Sequence, residues 1–248
     1  QLLQHPRFDQ ADLTSLRAIS VAGAPVPEPL IGPFQDRGVA ISQAYGLTEA
    51  APSVTLLPSD DVRSKIGSAG KRSFFTDVAV LRPDGTKAEA GEIGEVVAQG
   101  PNVMLGYLNL PDASAAAIRD GWLYTGDAGY LDEDGFLFIR DRYKDMYISG
   151  GENVYPAEVE SAFLEFEEVG QVAVIGVPHE KWGETGMAFV VARDGTDIDL
   201  DVLRDKLRKR LAAFKIPIHI TIADALPQTA TGKIRKTELR KLAAPQPG

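Results

Sequence analysis

The sequence predicts a mixed α/β and α+β fold: the end of an α/β sheet, a β-rich region, and then a smaller α+β unit. Strand-like runs at 16–23 and 39–46 flank a Pro-marked helix candidate near 27–37, which is typical of an α/β sheet. From about 59 to 141, short alternating runs are separated by Asp-Gly turns, which predicts β-hairpins. Amphipathic helices and strands then follow one another, which predicts a compact α+β unit at 146–248.

The predicted α+β unit contains a helix at 157–166, which Pro156 can begin because proline suits the first helical turn. Its apolar residues recur at the spacing of one helix face: Val159, Ala162, Phe163 and Phe166. A second helix has a single apolar stripe: Leu200, Leu203, Leu207 and Leu211. Strands are predicted within "QVAVIGVP" and "MAFVVARD" and at 218–222, before a short basic tail helix. We expect the segment 142–145 to join this unit to the preceding region.

Composition limits the class of protein. Apolar residues make up 44% and charged residues 25% of the chain, which is ordinary for a globular protein. No apolar run approaches the roughly 18 residues of a membrane-spanning helix, so we predict no transmembrane segment. Because there is no cysteine, disulfides, thiolate catalysis and cysteine metal sites are excluded, and a cytoplasmic protein is expected.

The net charge of −9 is unevenly distributed. Residues 203–241 contain eleven Lys and Arg against three Asp and Glu, so this stretch carries +8 and the remainder −17. The basic stretch is consistent either with a solvated helix face or with a site for a phosphate-bearing small molecule. No aromatic-studded basic surface or nucleic-acid motif accompanies the charge, so we predict no nucleic-acid partner.

Two short stretches resemble ligand-binding loops but lack required residues. "LDEDGF" (131–136) would need acidic residues at 130 and a Glu at 141 to be an EF-hand loop, whereas Tyr130 and Asp141 occur there. "TGK" (231–233) lacks the first Gly of a P-loop, and Ile234 stands where Ser or Thr is required. We therefore interpret the first stretch as a hairpin turn and exclude a Walker loop at the second.

Three polar stretches carry residue types suited to a nucleotide. "YGLTEA" (45–50) sets an aromatic ring, a glycine, a hydroxyl and a carboxylate at the end of a strand-like run. Asp127 can accept hydrogen bonds from paired hydroxyls, and Arg142 lies at the predicted border of two regions. "LPQTATGKIRK" (226–236) places Lys233 in a small Thr- and Gly-rich loop that can reach into the cleft of another domain.

Gly150 and Gly151 stand in "YISGGENVYPAEVE", directly before the predicted helix. Glycine is favoured where the backbone turns unusually and also where another group must approach the backbone closely. The residues alone leave both interpretations open.

In this order and spacing, these stretches resemble the C-terminal half of an adenylate-forming enzyme of the superfamily that includes acyl-CoA synthetases, carrier-protein adenylation domains and luciferases. The resemblance runs from "SVAGAPVPEPL" to "TGKIRK" and includes "YGLTEA", "GYLN", "GWLYTGD", "DRYKDMYISGGENVYPAEVE" and "PHEKWGETGMAFVV". It implies that residues 1–141 are the C-terminal part of an AMP-binding core and that 146–248 form a small mobile domain. Because the family has its phosphate loop upstream, we expect Gln1 to be a cut end and this chain to need its missing N-terminal core.

The resemblance implies a site for ATP or AMP and for Mg²⁺. The implied nucleotide-binding residues are Gly23, Ala24, Pro25, Tyr45, Gly46, Thr48, Asp127, Arg142 and Lys233. The first three would line the adenine and acyl pocket. Tyr45 would stack on the adenine, and Asp127 and Arg142 would hold the ribose. Thr48 would contact the α-phosphate, and Glu49 would hold Mg²⁺. The implied catalytic residues are Lys233, Thr48 and Glu49.

The resemblance also implies a thiol site and a hinge. Lys144 stands where the family has its hinge, and Lys233 resembles the lysine that bridges the acid carboxylate and the phosphate. Gly150 and Gly151 would line a channel for the pantetheine arm of coenzyme A, which a side chain would block. Further candidate contacts with coenzyme A are Trp182, Phe214 and Lys215. The chain departs from many CoA-using relatives at Ile218, where they carry a basic residue.

The leading functional hypothesis is an ATP-dependent acyl-CoA ligase that acts on a fatty or aromatic carboxylic acid. By resemblance, such an enzyme forms an acyl-adenylate and pyrophosphate, rotates its small domain, and then forms a thioester with coenzyme A. One alternative is an adenylation enzyme that loads the pantetheine of a carrier protein. Another is a non-catalytic half-enzyme that serves as a binding module.

Overall fold

A computed structural model describes residues 2–23, 28–229 and 232–243 of the chain. These residues form two units, Gln1–Ile139 and Arg140–Gly248, and each unit has hydrophobic cores of its own. In the described ranges, no helix has the length and apolarity needed to cross a lipid bilayer. The division between the units falls just before the joining segment predicted at 142–145.

The first unit contains two sheets. Its strands are β1 (Ala18–Ala22), β2 (Ala40–Gly46), β3 (Ser53–Leu57), β4 (Lys71–Arg72), β5 (Asp77–Leu81), β6 (Gly94–Gln99), β7 (Ile118–Arg119), β8 (Trp122–Leu131) and β9 (Leu137–Arg142). Its helices are α1 (Glu28–Gln35) and α2 (Pro111–Ala117). The first sheet has the order β1-β2-β3-β4, and the second has the order β5-β6-β8-β7 with β9 also paired to β8.

The predicted α/β piece is confirmed as a parallel strand pair connected through a helix. β1 and β2 pair in parallel, from Ala18 opposite Ala40 to Ala22 opposite Ala44, and α1 precedes β2 in the chain. Phe34 of α1 is buried with Val39 and with Ile41 of β2. Parallel strands need such a crossover, because a tight hairpin can only join antiparallel ones. The end of β2 carries "YG", the first two residues of the predicted nucleotide stretch.

The β-rich region is antiparallel, and its Asp-Gly turns lie where the sequence predicted them. At "LDEDGF", the Asp132 amide donates to the Phe136 carbonyl, and the left-handed Gly135 completes the turn between β8 and β9. The Lys65 ammonium donates to both Asp132 and Asp134, at 2.8 and 2.6 Å, and lies 4.6 Å from the centre of the Phe136 ring. These hydrogen bonds raise the pKa of Lys65. The two acidic side chains of this turn therefore hold a lysine of the same unit.

The second unit is a mixed sheet covered on both faces. Its strands are β10 (Tyr147–Ser149), β11 (Glu152–Val154), β12 (Val169–His179), β13 (Gly183–Ala192) and β14 (His219–Ile222). Its helices are α3 (Pro156–Leu164), α4 (Leu200–Arg208) and α5 (Lys236–Ala243). The strand order is β11-β10-β13-β12, and β14 pairs with β13 in parallel.

Alternate residues of the long strands point to opposite faces, and each face has its own helices. Val172 and Val174 of β12 pack in the core that also contains apolar residues of α3 and α4. Ala173 and Ile175, one position along, pack with Leu239 of α5. This two-residue period explains why "QVAVIGVP" is apolar almost throughout, since a strand buried on both faces has no polar side.

A buried tyrosine fixes the strand that leads to the Gly-Gly loop. The Tyr147 ring is 1% exposed. A Cβ on Gly176 would lie 2.4 Å from Tyr147 Cβ, and one on Gly186 would lie 2.5 Å from its hydroxyl oxygen. Both distances are shorter than real contacts allow, so these two glycines make the space for the ring. The ring thereby locks β10 against β12 and β13.

The helix predictions for the second unit are confirmed, with small differences at the ends. The helix predicted at 157–166 runs from Pro156 to Leu164. The predicted leucine stripe lies in α4, whose N-terminus is capped by Asp199 through hydrogen bonds from two following amides. Leu211 lies beyond the end of α4 but still packs against the same core. Helix α2 was not predicted.

Candidate functional site

Two of the implied nucleotide residues contact each other directly. Tyr45 lies near the end of β2 and Asp127 lies in β8, 82 residues further along the chain. The Tyr45 hydroxyl donates to Asp127 Oδ2 at 2.6 Å. Asp127 is 9% exposed, while Tyr45 is half-buried beside apolar residues of the β-rich sheet. A ring that can stack on a base and a carboxylate that can accept from hydroxyls are therefore joined within the first unit.

A β-bulge presents Asp127. The pairing of β6 with β8 shifts register just after Glu95, and bulges of this kind redirect a side chain. The Thr125 hydroxyl donates to the Val96 carbonyl at 2.7 Å and accepts from the Asp127 amide at 3.1 Å. The Gly126 amide, at φ +70°, donates to the Glu95 carboxylate at 3.2 Å. Partial burial raises the pKa of Glu95, although the hydrogen bond from Gly126 opposes this effect.

Thr48 and Glu49 lie in a 3₁₀ turn, Thr48–Ala50, that doubles the chain back on itself. A Cβ on Gly46 would lie only 1.7 Å from the Pro52 carbonyl oxygen, so no other residue fits there. Ala51, which ends the turn, is left-handed at φ +45°. The resemblance placed Gly46 among the nucleotide-binding residues. In the structure, glycine is needed at position 46 because the backbone at Pro52 passes so close to it.

A neighbouring loop holds this turn, and the sequence did not predict its contacts. The Asn102 amide group donates to the Ala50 carbonyl at 2.9 Å. The Met104 amide donates to the Glu49 carbonyl at 2.8 Å. The Tyr107 hydroxyl donates to Glu49 Oε1 at 2.9 Å, and this bond to a carboxylate raises the pKa of Tyr107. Tyr107 lies in "GYLN", which is the one signal in the sequence that could have drawn attention to it.

Glu49 is chemically suited to Mg²⁺ as a single carboxylate ligand. Among the described residues, no group of three or more His, Asp and Glu side chains is placed to hold a metal ion. Magnesium does not need such a cage, because it commonly binds one or two carboxylates together with substrate phosphates and water. The donor set therefore fits a metal that arrives with a nucleotide.

The remaining residues implied for the nucleotide pocket are less informative. Gly23 follows β1 and has φ +88°, a conformation that favours glycine. Ala24 and Pro25 lie outside the described residues. Arg142 is exposed at the end of β9.

The Gly-Gly loop links β10 to β11 in the second unit and needs glycine for backbone reasons. Gly150 has φ +62° and Gly151 has φ +90°. The Gly150 amide donates to the Trp182 carbonyl at 2.9 Å, and a Cβ on Gly150 would lie 3.0 Å from the Trp182 ring. A Cβ on Gly151 would meet nothing within 4 Å. Of the two interpretations left open by the sequence, the unusual turn is therefore present, and the pantetheine channel stays a prediction.

The structure brings Trp182 into contact with this loop. Trp182 is 42% exposed, with the Lys181 ammonium 4.6 Å from its ring centre. Phe214 and Lys215 lie in the 3₁₀ turn Ala213–Lys215. Lys215 donates to Glu158 of α3 at 2.6 Å, so its charge is already paired.

Lys233 is joined to Thr229 by hydrogen bonds of the backbone. Gln228 and Ile234 form a β-bridge, and the Thr229 amide donates to the Lys233 carbonyl at 2.8 Å. The Lys233 amide in turn donates to the Thr229 hydroxyl at 3.1 Å. The side chain is exposed. Within the ranges that the structure describes, no ion pair of the Lys233 ammonium is found.

Most of the basic stretch is used inside the second unit. Eight of its eleven cations form ion pairs: Lys206, Arg208, Arg210, Lys215, Arg235, Lys236, Arg240 and Lys241. The concentration of positive charge is therefore largely balanced by carboxylates of the same unit. This outcome favours the predicted solvated helix faces over a broad phosphate-binding surface.

Two carboxylates tie the predicted hinge to the second unit. Asp141 Oδ2 accepts from the Ala157 amide at 2.7 Å and so satisfies a free N–H at the start of α3. Asp145 Oδ1 accepts from Arg240 of α5 at 2.7 Å. Lys144, the predicted hinge residue, is exposed between them. The sequence did not predict these tethers, and the hinge itself stays a prediction.

Comparisons with known proteins match both units. The family model described as AMP-binding enzyme matches residues 1–108, and the model described as AMP-binding enzyme C-terminal domain matches residues 158–233. The first unit thus contains the match to the core model, and the second contains the match to the C-terminal model.

Named relatives agree with these matches. A feruloyl-CoA synthase from Amycolatopsis sp is 52% identical over 237 residues, which are 96% of this chain and 48% of that protein. The long-chain-fatty-acid–CoA ligase FadD13 from Mycobacterium tuberculosis is 45% identical over 96% of this chain and 47% of its own length. The structure of O-succinylbenzoate coenzyme A synthetase from Bacillus subtilis with ATP and magnesium has a TM-score of 0.87 at 38% identity, over 96% of this chain and 48% of that one.

The chain spans about half the length of the curated relatives that it matches. The match to the core model comes first in the chain and the match to the C-terminal model second, in the same order as the two units. From the family models, the relatives and the fold together, we conclude that this chain belongs to the AMP-binding enzymes.

Proposed function

We propose that the complete gene product containing this sequence activates a carboxylic acid with ATP as an acyl-adenylate and then transfers the acyl group to coenzyme A. The observation that carries this proposal is the hydrogen bond between Tyr45 and Asp127, which joins a stacking ring to a hydroxyl acceptor. Such a pair suits adenine and ribose, because a base offers a π-face and a ribose offers two adjacent hydroxyls.

In the first reaction, a carboxylate oxygen of the acid attacks the α-phosphorus of ATP. The bond from that phosphorus to the bridging oxygen breaks, and pyrophosphate leaves. Thr48 donates its hydroxyl to the α-phosphate, and the Lys233 ammonium neutralises the charge that moves from the carboxylate to the phosphate. Donors placed where charge develops are the strongest single contribution that a protein makes to such a step.

Bound Mg²⁺ supplies positive charge beside the phosphates. The residue of this chain that would hold it is Glu49, whose backbone carbonyl and carboxylate both accept hydrogen bonds from the loop at 102–107. A glutamate whose backbone and carboxylate are both hydrogen-bonded loses little conformational freedom when it binds a ligand.

In the second reaction, the sulfur of coenzyme A attacks the acyl carbon. The bond from that carbon to the AMP oxygen breaks, AMP leaves, and the thiol proton passes to solvent. Gly150 and Gly151 line the approach of the pantetheine arm, and Trp182 forms one wall. Rotation of the second unit at residues 142–145 replaces Lys233 by this loop between the two reactions, as a single small domain cannot serve both at once.

The acid is a fatty or aromatic carboxylic acid. The names of the relatives support this range, since one is a feruloyl-CoA synthase and another a long-chain-fatty-acid–CoA ligase. Both names also contain coenzyme A, which supports coenzyme A over a carrier protein as the acceptor. The N-terminal part of the AMP-binding core is the partner that this function requires.

The test is an acid-dependent ATP–pyrophosphate exchange assay on the complete gene product, with a panel of fatty and aromatic acids. We expect exchange with at least one acid, and thioester formation when coenzyme A is added. Asp127→Ala should raise the KM for ATP by at least about tenfold, the loss expected when ribose hydroxyls lose a charged acceptor. Exchange that requires no acid, or acyl transfer only to a carrier protein, would contradict the proposal.

A further inference from the structure

The loop at 102–107 is hydrogen-bonded to the Thr48–Ala50 turn at several points. It contacts Glu49 at two separate points, the backbone carbonyl through Met104 and the carboxylate through Tyr107. Asn102 adds bonds to the carbonyls of Ala50 and Ser53, at 2.9 and 3.1 Å. The loop therefore fixes the turn along its length and also fixes the side chain that the turn presents.

Tyr107 is itself placed by helix α2. The Ser114 hydroxyl oxygen accepts from the Tyr107 amide at 2.8 Å and donates to the Leu110 carbonyl at 2.8 Å. The residue before Tyr107 is Gly106 at φ +149°, and a Cβ there would lie 2.9 Å from the Ser114 oxygen. The backbone of Tyr107 is thus closely packed on α2, which fixes the position from which its side chain extends.

We propose that Tyr107 is a positioning residue for Glu49. This rests on the proposed function, in which Glu49 is the carboxylate that holds Mg²⁺. By donating to Oε1, Tyr107 restricts the rotation of the carboxylate that would hold the metal. Hydrogen bonds that orient a ligating carboxylate commonly change metal affinity by about 10- to 100-fold when they are removed.

The exposure of Tyr107 argues against a purely structural role. Its side chain is 38% exposed, so the hydroxyl would be hydrated if the bond to Glu49 were absent. A hydrogen bond that competes with water in this way adds little to the stability of the fold. The Tyr107→Phe variant keeps the ring and should fold normally, which makes the effect on the metal separable from an effect on stability.

The experiment measures how much Mg²⁺ strengthens the binding of a non-hydrolysable ATP analogue to the complete gene product. Calorimetric titrations with and without Mg²⁺ give two dissociation constants, and their ratio is the metal effect. In Tyr107→Phe, we expect this ratio to fall about tenfold while the metal-free dissociation constant and the melting temperature stay unchanged. Tyr124→Phe is the matched control, because Tyr124 is a half-buried tyrosine of the same unit whose ring lies under the Arg119 guanidinium.

Glu49→Gln separates the outcomes. If Glu49→Gln abolishes the metal effect and Tyr107→Phe leaves it at the wild-type value, the role of Tyr107 is wrong and the metal ligand stands. If Glu49→Gln also leaves the ratio unchanged, Glu49 is not the ligand and the proposal for Tyr107 fails with it. A wild-type protein that does not bind the analogue at all overturns the proposed function itself.

Discussion

The two units hold their candidate functional residues in opposite ways. In the first unit, Tyr45 is bonded to Asp127, and Glu49 is bonded to Tyr107, so the polar groups are paired with one another. In the second unit, three of the candidates, Gly150, Gly151 and Lys233, belong to short loops. The Gly150–Gly151 pair has no side chains, and the Lys233 ammonium has no ion pair within the described residues.

This difference has a physical meaning. Side chains that are already held in place lose little entropy on binding, so the first unit is suited to bind and orient a ligand. The side chain of Lys233 is exposed, while its backbone amide is hydrogen-bonded to Thr229. It is suited to be brought to a site as one piece and removed again. We therefore interpret the first unit as the binding surface and the second as the carrier of step-specific groups.

The largest effect should follow from removing the group that the second unit brings. Lys233→Ala in the complete gene product should reduce ATP–pyrophosphate exchange by about 100-fold or more, the scale for losing one positioned donor. Thioester formation from pre-made acyl-adenylate should be nearly unchanged, because that reaction does not use Lys233. Equal losses in both assays would mean that the variant is damaged in folding, and the contrast between the units would lose its main support.

A smaller effect should follow from restricting the proposed hinge. Lys144→Pro fixes φ near −65° and also restricts Tyr143. We expect near-normal pyrophosphate exchange and thioester formation reduced by about tenfold, a barrier change of about 1.4 kcal/mol. Lys144→Ala is the control, and it should be mild in both assays because it leaves the backbone free. If Ala impairs thioester formation as strongly as Pro does, the side chain matters and the hinge is elsewhere.

The pairing inside the first unit can be tested by removing a single oxygen. Tyr45→Phe keeps the ring for stacking but takes the donor away from Asp127. The KM for ATP should rise by about fivefold, which corresponds to a hydrogen bond of about 1 kcal/mol. The kcat for exchange should change less than the KM. A KM equal to that of the wild-type protein would show that the hydrogen bond from Tyr45 does not contribute to ATP binding by Asp127.

The smallest effect concerns Glu95, which supports the turn that presents Asp127. Because partial burial raises its pKa, the folded protein holds this proton more tightly than the unfolded chain does. The stability that protonated Glu95 contributes is thus lost as the pH rises above the pKa that this carboxyl has in the unfolded chain. Glu95→Gln cannot ionise, so its melting temperature should exceed that of the wild-type protein by about 1 °C at pH 7. At pH 4 the difference should vanish, and thermal melts at both pH values check this.

The elements of the fold could be predicted because their signals are local. The spacing of Val159, Ala162 and Phe163 indicated α3, and all three are buried in the core. The Asp-Gly turn at 131–136 indicated the β8–β9 hairpin through residue types alone. In each case a short stretch contains both the apolar pattern and its ending, so no knowledge of distant residues is needed.

The contacts within the candidate site could not be predicted in the same way. Tyr45 and Asp127 were both assigned to a nucleotide, yet their bond depends on a bulge in β8 and on the packing of two sheets. Tyr107 lies 58 residues from Glu49, and nothing in "GYLN" says which carboxylate its hydroxyl meets. The sequence left two reasons open for the glycines at 150 and 151, an unusual turn and ligand access, and their backbone angles show the turn.

The hydrogen bond of Asp141 to α3 has a consequence for the proposed rotation of the second unit. In the rotation that we propose at Lys144, Asp141 stays on the other side of the hinge, so α3 exchanges its carboxylate cap for water. Losing such a cap costs about 1 kcal/mol, which biases the two arrangements by only about fivefold. A catalytic cycle can cross that bias easily in both directions. Hydrogen exchange at the Ala157 amide therefore reports the proposed motion. Its hydrogen should exchange with solvent faster during turnover than at rest.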